Sequence, residues 1–336
     1  MLKKKSFVPN DKPVYREVIP QAFKFAWKHP QYWLFGFIAS FLFTGGSADI
    51  FFKFWNSLQA HSGSYFGYSF QILLTTAKQS LTNGVTWLMF FQALVALLIF
   101  LVIFIAIVAF SAICQGALVH VIGAWKLDKK HFVRQALSVG SKAIVPVIAL
   151  NLIMIFFVWI SRFAVSWPFA LALSKENLIY YIIYIIAFVI FFTVTLFLGV
   201  IQLYSLNAII LQGATLRSAL DIAWKLVKKH WLITIETAVL QAFLVAIIGF
   251  VVAIIFMILA IPAYLLYILS FINSSVSLFE TSVGIFFALI IITVTITTGF
   301  LANFQYAIWA LMFKKFGEGG AVPKIHRIIK SILKKS

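Results

Sequence analysis

The sequence predicts an all-α fold: a polytopic bundle of about six membrane-spanning helices, arranged as three repeated hairpins that each begin with a cytoplasmic amphipathic helix. Three observations predict this class. Hydrophobic residues make up 63% of the chain and charged residues 11%, whereas soluble domains contain about 45–50% and about 25%. Several apolar runs exceed the roughly 20 residues that cross a hydrocarbon core. Lys and Arg are concentrated in alternate connections between these runs.

The longest apolar run, residues 85–125, contains no Asp, Glu, Lys or Arg. It is roughly twice as long as a membrane span requires. Its first part is rich in Leu, Ile, Phe and Val, and small or polar residues enter from Ser111 onward. Residues 178–213 and 281–316 have the same design. We therefore expect three long helices that each leave the lipid and continue among other helices.

The N-terminal part begins with a basic arm at residues 1–13, which we expect to be mobile. Apolar residues at helical spacing predict an interfacial amphipathic helix over residues 14–29. The first span is predicted at residues 31–43. Because it lies behind a long polar and basic segment, we expect an uncleaved anchor. Residues 44–84 form the one long outer segment in this prediction.

The middle part repeats this order. A basic amphipathic stretch at residues 127–141 precedes the third span, which is predicted at residues 143–164. Residues 166–168, which end in Pro168, predict the start of an outer turn. The fourth span begins near Leu178 and belongs to the second long run.

The C-terminal part repeats the order again. Residues 215–230 form a third basic amphipathic stretch, and the fifth span runs over residues 231–261. Pro262 predicts a break or kink at its end. The sixth span is predicted at residues 282–309, and residues 317–336 predict a basic amphipathic cytoplasmic tail.

The distribution of charge predicts the orientation. Most of the 27 Lys and Arg residues precede the odd spans or follow the last one, and the outer connections contain few: Lys53, Lys78, Arg162 and Lys175. Basic residues mark cytoplasmic loops, so we expect a multi-pass protein of the cell membrane with both termini in the cytoplasm. We expect the basic residues behind the net charge of +18 to contact anionic lipid headgroups, with an attraction of about 1 kcal/mol per residue. We expect no nucleic-acid partner.

Short matches indicate an internal repeat with units at about residues 14–126, 127–213 and 214–316, which together form the membrane domain. The sequence Ala-Phe-Lys-Phe-Ala-Trp-Lys, from Ala22, corresponds to Ala-Leu-Asp-Ile-Ala-Trp-Lys, from Ala219. Each unit also carries a glutamine near the inner end of its long run. Repeated helical hairpins of this kind are common in membrane transporters but not confined to them.

With its Ala-Trp-Lys lead-in before a span and its repeated hairpins, the chain resembles the membrane domain attached to some bacterial glycerophosphodiester phosphodiesterases. It also resembles related six-span bacterial inner-membrane proteins of unassigned activity. The resemblance runs from about Val14 to Phe316. It implies a membrane-embedded module of unknown activity. None of the family's catalytic residues can be carried over to this chain, because the phosphodiesterase chemistry belongs to a separate soluble barrel domain.

Glu236 is the first candidate functional residue, because it is an ionisable residue about one turn inside the fifth span. Ionisable residues within a membrane are costly and mark functional sites. The alternative is that Glu236 extends to the interface or pairs with Lys228, Lys229 or His230. We expect this second, structural role.

The repeated glutamines are the second candidate set: Gln115, Gln202 and Gln305. They could line a polar cavity together with the neighbouring polar residues His120, Asn207, Gln212 and Asn303. The alternative, which we expect, is hydrogen bonding between helices. For the small residues around His120, notably Gly116 and Gly123, we expect close helix packing.

The sequence contains no motif that supports metal, cofactor or catalytic chemistry. The histidines lack metal-ligand spacing, and the single cysteine, Cys114, excludes a disulfide within the chain. Our first hypothesis is a non-enzymatic scaffold or accessory module that contacts lipid or a membrane-protein partner. The second is a transporter or lipid-handling protein that uses a polar interior, and the third, weaker hypothesis is a membrane enzyme.

Overall fold

The structure is a computed structural model that describes residues 14–42, 87–125, 132–175 and 178–317. These residues form eight α-helices and one 3₁₀ turn, and they contain no strand. In chain order the elements are α1 (Val14–Lys28), the 3₁₀ turn (Pro30–Tyr32), α2 (Trp33–Ala39), α3 (Trp87–Ala124), α4 (Phe132–Lys142), α5 (Ile144–Lys175), α6 (Leu178–Gln212), α7 (Leu216–Ile272) and α8 (Val276–Gly317).

Five helices, α3, α5, α6, α7 and α8, are long and apolar enough to cross a membrane. Their middle parts expose large apolar side chains on the outside of the bundle, as the lipid-facing surface of a multi-pass membrane protein does. The sixth predicted span, residues 31–43, coincides with the 3₁₀ turn and α2. Helix α2 has seven residues, about 10 Å of helix, and residues 43–86 lie outside the described part of the chain. The count of six spans therefore stays a prediction.

Two prolines do not end helices where the sequence predicted. The outer turn expected at residues 166–168 is absent, because α5 continues through Pro168 to Lys175. Similarly, α7 runs past Pro262 to Ile272. A proline removes one helical hydrogen bond, and helices in membranes tolerate this loss better than soluble helices do. The non-helical residue within α7 is His230 (φ −123°, ψ 29°), at the predicted junction of the third amphipathic stretch and the fifth span.

The helices of the three predicted repeat units make the same contacts. Helix α4 packs against α3, and α7 packs against α6. The second and third units therefore each contact the long helix of the unit before them. Helix α1 packs against α8, which brings the first and last units together. The three long helices α3, α6 and α8 contact one another in the centre. Their buried segments, around Leu118, Tyr204 and Ile308, form the middle of the core.

The apolar face of α1 is buried in protein. Val18, Ala22, Phe25 and Ala26 are all at most 1% exposed, and α8 is the main helix packed against α1. The sequence predicted an interfacial amphipathic helix here and did not identify protein as the partner of this stripe. In the structure, the exposed apolar rings of α1 belong instead to the neighbouring face, which includes Trp27.

Two pairs of glycines bring helices into backbone contact. A Cβ atom at Gly36 of α2 would lie 2.5 Å from the carbonyl oxygen of Gly299 in α8. A Cβ atom at Gly140 of α4 would lie 2.3 Å from the carbonyl oxygen of Ile113 in α3, beside Gly116. Only glycine fits at such distances, so these residues fix how closely α2 and α4 approach the long helices.

Candidate functional site

A chain of buried amide side chains crosses the centre of the bundle. Asn151 Nδ2 of α5 donates to Gln115 Oε1 of α3 at 2.8 Å, and Gln202 Nε2 of α6 donates to Asn151 Oδ1, also at 2.8 Å. Gln115 Nε2 donates in turn to the carbonyl oxygen of Ala39, at the end of α2, at 3.1 Å. All three side chains are at most 3% exposed. The amides therefore link four helices.

Amides suit this position because each carries both donors and acceptors. A buried polar group that lacks a partner costs about 1–3 kcal/mol. Asn151 avoids this cost for both glutamines, because it donates to Gln115 and accepts from Gln202. Its nitrogen also donates to the carbonyl oxygen of Val147 at 2.8 Å, one turn earlier in α5. The arrangement is suited to holding helices together.

Further polar side chains are buried near this chain without hydrogen-bond partners among the described residues. Asn303 of α8 is fully buried, and neither its Nδ2 nor its Oδ1 is paired. The hydroxyls of Ser111 and Ser205 and the Oδ1 of Asn207 share this state. These groups come from all three long helices. They are the part of the interior that could hydrogen-bond a water or a polar ligand.

The structure brings together two of the three predicted glutamines. Gln115 and Gln202 are joined through Asn151, which the sequence analysis did not select, whereas Gln305 is only half-buried. Asn151 could have been selected from the sequence, because it is the single polar residue between residues 143 and 160.

The other predicted polar residues are dispersed. Asn207 is buried and donates to the Leu203 carbonyl oxygen of its own helix at 2.7 Å. His120 is half-buried and Gln212 is exposed at the end of α6. The small residues near His120 make the expected close contacts, because a Cβ atom at Gly123 would lie 2.4 Å from Leu211 Cδ2.

Glu236 lies six residues beyond the bend at His230 and is half-buried. Within the described residues it forms no ion pair with Lys228, Lys229 or His230. Pairing was one of the two structural roles that the sequence analysis offered, and it is not seen there. The other, extension of the carboxylate to the interface, stays a prediction.

An apolar groove lies between α7 and α8, away from the amide chain. It has a volume of about 680 Å³ and is lined by residues such as Phe256, Ala260, Tyr264 and Phe286. Ser282 Oγ donates to the Ala263 carbonyl oxygen at 2.7 Å and joins the two helices beside it. Its size is within the range of about 300–1,000 Å³ typical of ligand sites.

No group of three His, Cys, Asp or Glu side chains within the described residues could hold a metal ion. Cys114 is free and fully buried among apolar neighbours. No family model, no curated protein and no solved structure matches the chain.

Proposed function

We propose that the chain is a non-enzymatic, multi-pass membrane module that acts as a scaffold or accessory and contacts lipid or a membrane-protein partner. The observation that carries this proposal is the use made of the polar interior. Gln115, Asn151 and Gln202 hydrogen-bond one another and the backbone of α2 and α5. Side chains bound in this way join helices.

Contact with lipid is supported by the groove between α7 and α8. Its lining is almost wholly apolar and aromatic, and it opens on the exposed surface of two helices long enough to span a membrane. An acyl chain gains from such a concave surface because more of its atoms meet protein than on a flat helix face. We infer that the groove holds a lipid acyl chain.

The same proposal includes six spans in the cell membrane, both termini in the cytoplasm and three repeated units. The six-span count is supported by α2, which packs against α3 and α8, two of the long helices. The charge distribution supports the orientation. The membrane domain of the glycerophosphodiester phosphodiesterases remains the family that we expect the chain to resemble.

Native mass spectrometry of the full chain, gently extracted from its membrane, tests this function. We expect a protein or a defined lipid to remain bound in stoichiometric amount. Ala260→Trp, which fills the groove, should reduce the retained lipid. The control is Ala253→Trp on an exposed position of the same helix, which does not line the groove. A chain that carries neither lipid nor protein would contradict the proposal.

The alternative function is transport or lipid handling through the polar interior. It is favoured by the unpaired buried groups, of which Asn303 is the most complete case. Translocation of a fluorescent phospholipid between the leaflets of proteoliposomes distinguishes the two functions. A scaffold should match protein-free vesicles. Translocation that is lost in Asn303→Leu or Glu236→Gln, in protein that still folds, would establish the alternative.

A further inference from the structure

A small cavity lies where α1 passes the last turns of α3 and α8. Its volume is about 100 Å³, and its polar lining consists of Gln21, Trp125, Lys314 and Lys315. Its apolar lining includes Val18. A water-sized group needs about 10–15 Å³ of such volume. The cavity therefore has room for the oxygens of one phosphate group.

The two lysines are held in place but keep free donors. Lys314 Nζ donates to the carbonyl oxygen of Gly123, near the end of α3, at 2.7 Å. Lys315 Nζ forms an ion pair with Glu17 of α1. An ammonium group has three N–H donors, so each lysine retains two for a ligand. Glu17 offsets one of the two positive charges, and the pair of lysines with Glu17 has a net charge of +1.

The position also suits a lipid headgroup. The two lysines follow the apolar part of α8, and Trp125 follows the apolar part of α3. Lysine and tryptophan at the end of a span are typical of the membrane interface. The negative ends of the α3 and α8 helix dipoles act against an anion, and Lys314 and Lys315 oppose them.

We propose that this cavity binds the phosphodiester group of an anionic phospholipid, with Lys314 and Lys315 as its donors. A phosphodiester carries one negative charge and so matches the net charge of the two lysines with Glu17. The proposal names a ligand for the lipid-contacting function proposed above and rests on it.

The test uses the full chain in nanodiscs of phosphatidylglycerol and phosphatidylethanolamine, with retained lipid measured by native mass spectrometry. We expect Lys314→Gln/Lys315→Gln to weaken phosphatidylglycerol retention about 30-fold. The control, Lys228→Gln/Lys229→Gln, removes the same charge from two exposed positions of α7 and should retain the lipid as the unmodified chain does. Equal retention by both double variants would overturn the proposal.

A second variant keeps the test decisive if the lysine variant fails to fold. Glu17→Gln removes the carboxylate that occupies Lys315, so phosphatidylglycerol retention should increase. An unchanged retention in Glu17→Gln would contradict the proposal, as would release of the lipid by excess inorganic phosphate, which would identify a site for the free anion. If the unmodified chain retains no lipid of either kind, the lipid-contacting function fails as well. If the unmodified chain retains lipid but not at this cavity, the lipid-contacting function is not contradicted.

Discussion

A single asparagine, Asn151, joins two buried glutamines that belong to different helices, Gln115 and Gln202. An interhelical hydrogen bond in a membrane is worth only about 0.6 kcal/mol on average, but an unsatisfied buried group costs about 1–3 kcal/mol. The second effect dominates at this position, because Gln115 and Gln202 are both at most 3% exposed.

We therefore predict that Asn151→Leu lowers the free energy of unfolding by about 1–3 kcal/mol, measured by denaturant titration in micelles. Asn207→Leu is the matched control. Its only hydrogen bond described here is to its own helix, and its Oδ1 is unpaired. That substitution should be nearly neutral. Equal losses in the two variants would mean that the amide chain does not stabilise the bundle.

His29, in the turn after α1, makes stability depend on pH. Burial, and then the charge of Lys28, lower its pKa below the usual value. In the window between this lowered pKa and the unfolded value of about 6.5, the folded chain therefore binds fewer protons than the unfolded chain. Stability should be fully present above the unfolded value and decrease as the pH falls through the window between the two pKa values. In His29→Gln, thermal unfolding at a series of pH values should show a flatter slope across this window. An unchanged slope would mean that His29 does not cause the pH dependence of stability.

At the scale of helices, the close approach of α4 to α3 depends on Gly140. Substitution of a helical glycine by alanine normally gains about 1 kcal/mol. At Gly140 the new Cβ would meet the Ile113 carbonyl oxygen at 2.3 Å, and this clash with backbone outweighs the gain. We predict that Gly140→Ala lowers the thermal unfolding temperature. Gly249→Ala in α7, where no atom lies within 4 Å, should raise it or leave it unchanged.

The helices themselves were predictable from the sequence, and their partners were not. Apolar runs fix the length and class of α3, α6 and α8, and the junction near His230 follows from the change from basic to apolar residues. The outer turn expected at Pro168 was wrong, and so was a break of the helix at Pro262, because rules from water overstate the effect of a proline in a span. The buried face of α1 and the pairing through Asn151 depend on distant segments, and periodicity within one helix carries no information about these.

At the scale of the whole molecule, contacts between units follow a closed order. Helices α4 and α7 lean on the long helix of the preceding unit, and α1 leans on α8. An open array of repeats leaves two unlike end surfaces that need capping. A closed set of three has no end, and the pairing of Lys315 with Glu17 lies at the point of closure. The three units remain a prediction from the sequence, and the sequence did not predict these contacts between distant helices.

The number of spans decides the topology of this closed set. Five spans would leave the two termini on opposite sides of the membrane, whereas α1 packs against α8 near the end of that helix. Six spans would put both on one side, as the charge distribution predicts. We predict that tags fused at Met1 and Ser336 are both protected from protease in intact cells, and that a cysteine replacing Ser62 is labelled from outside. The unmodified chain is the control, since its single cysteine, Cys114, is fully buried. One accessible tag and one protected tag would instead establish an odd number of spans.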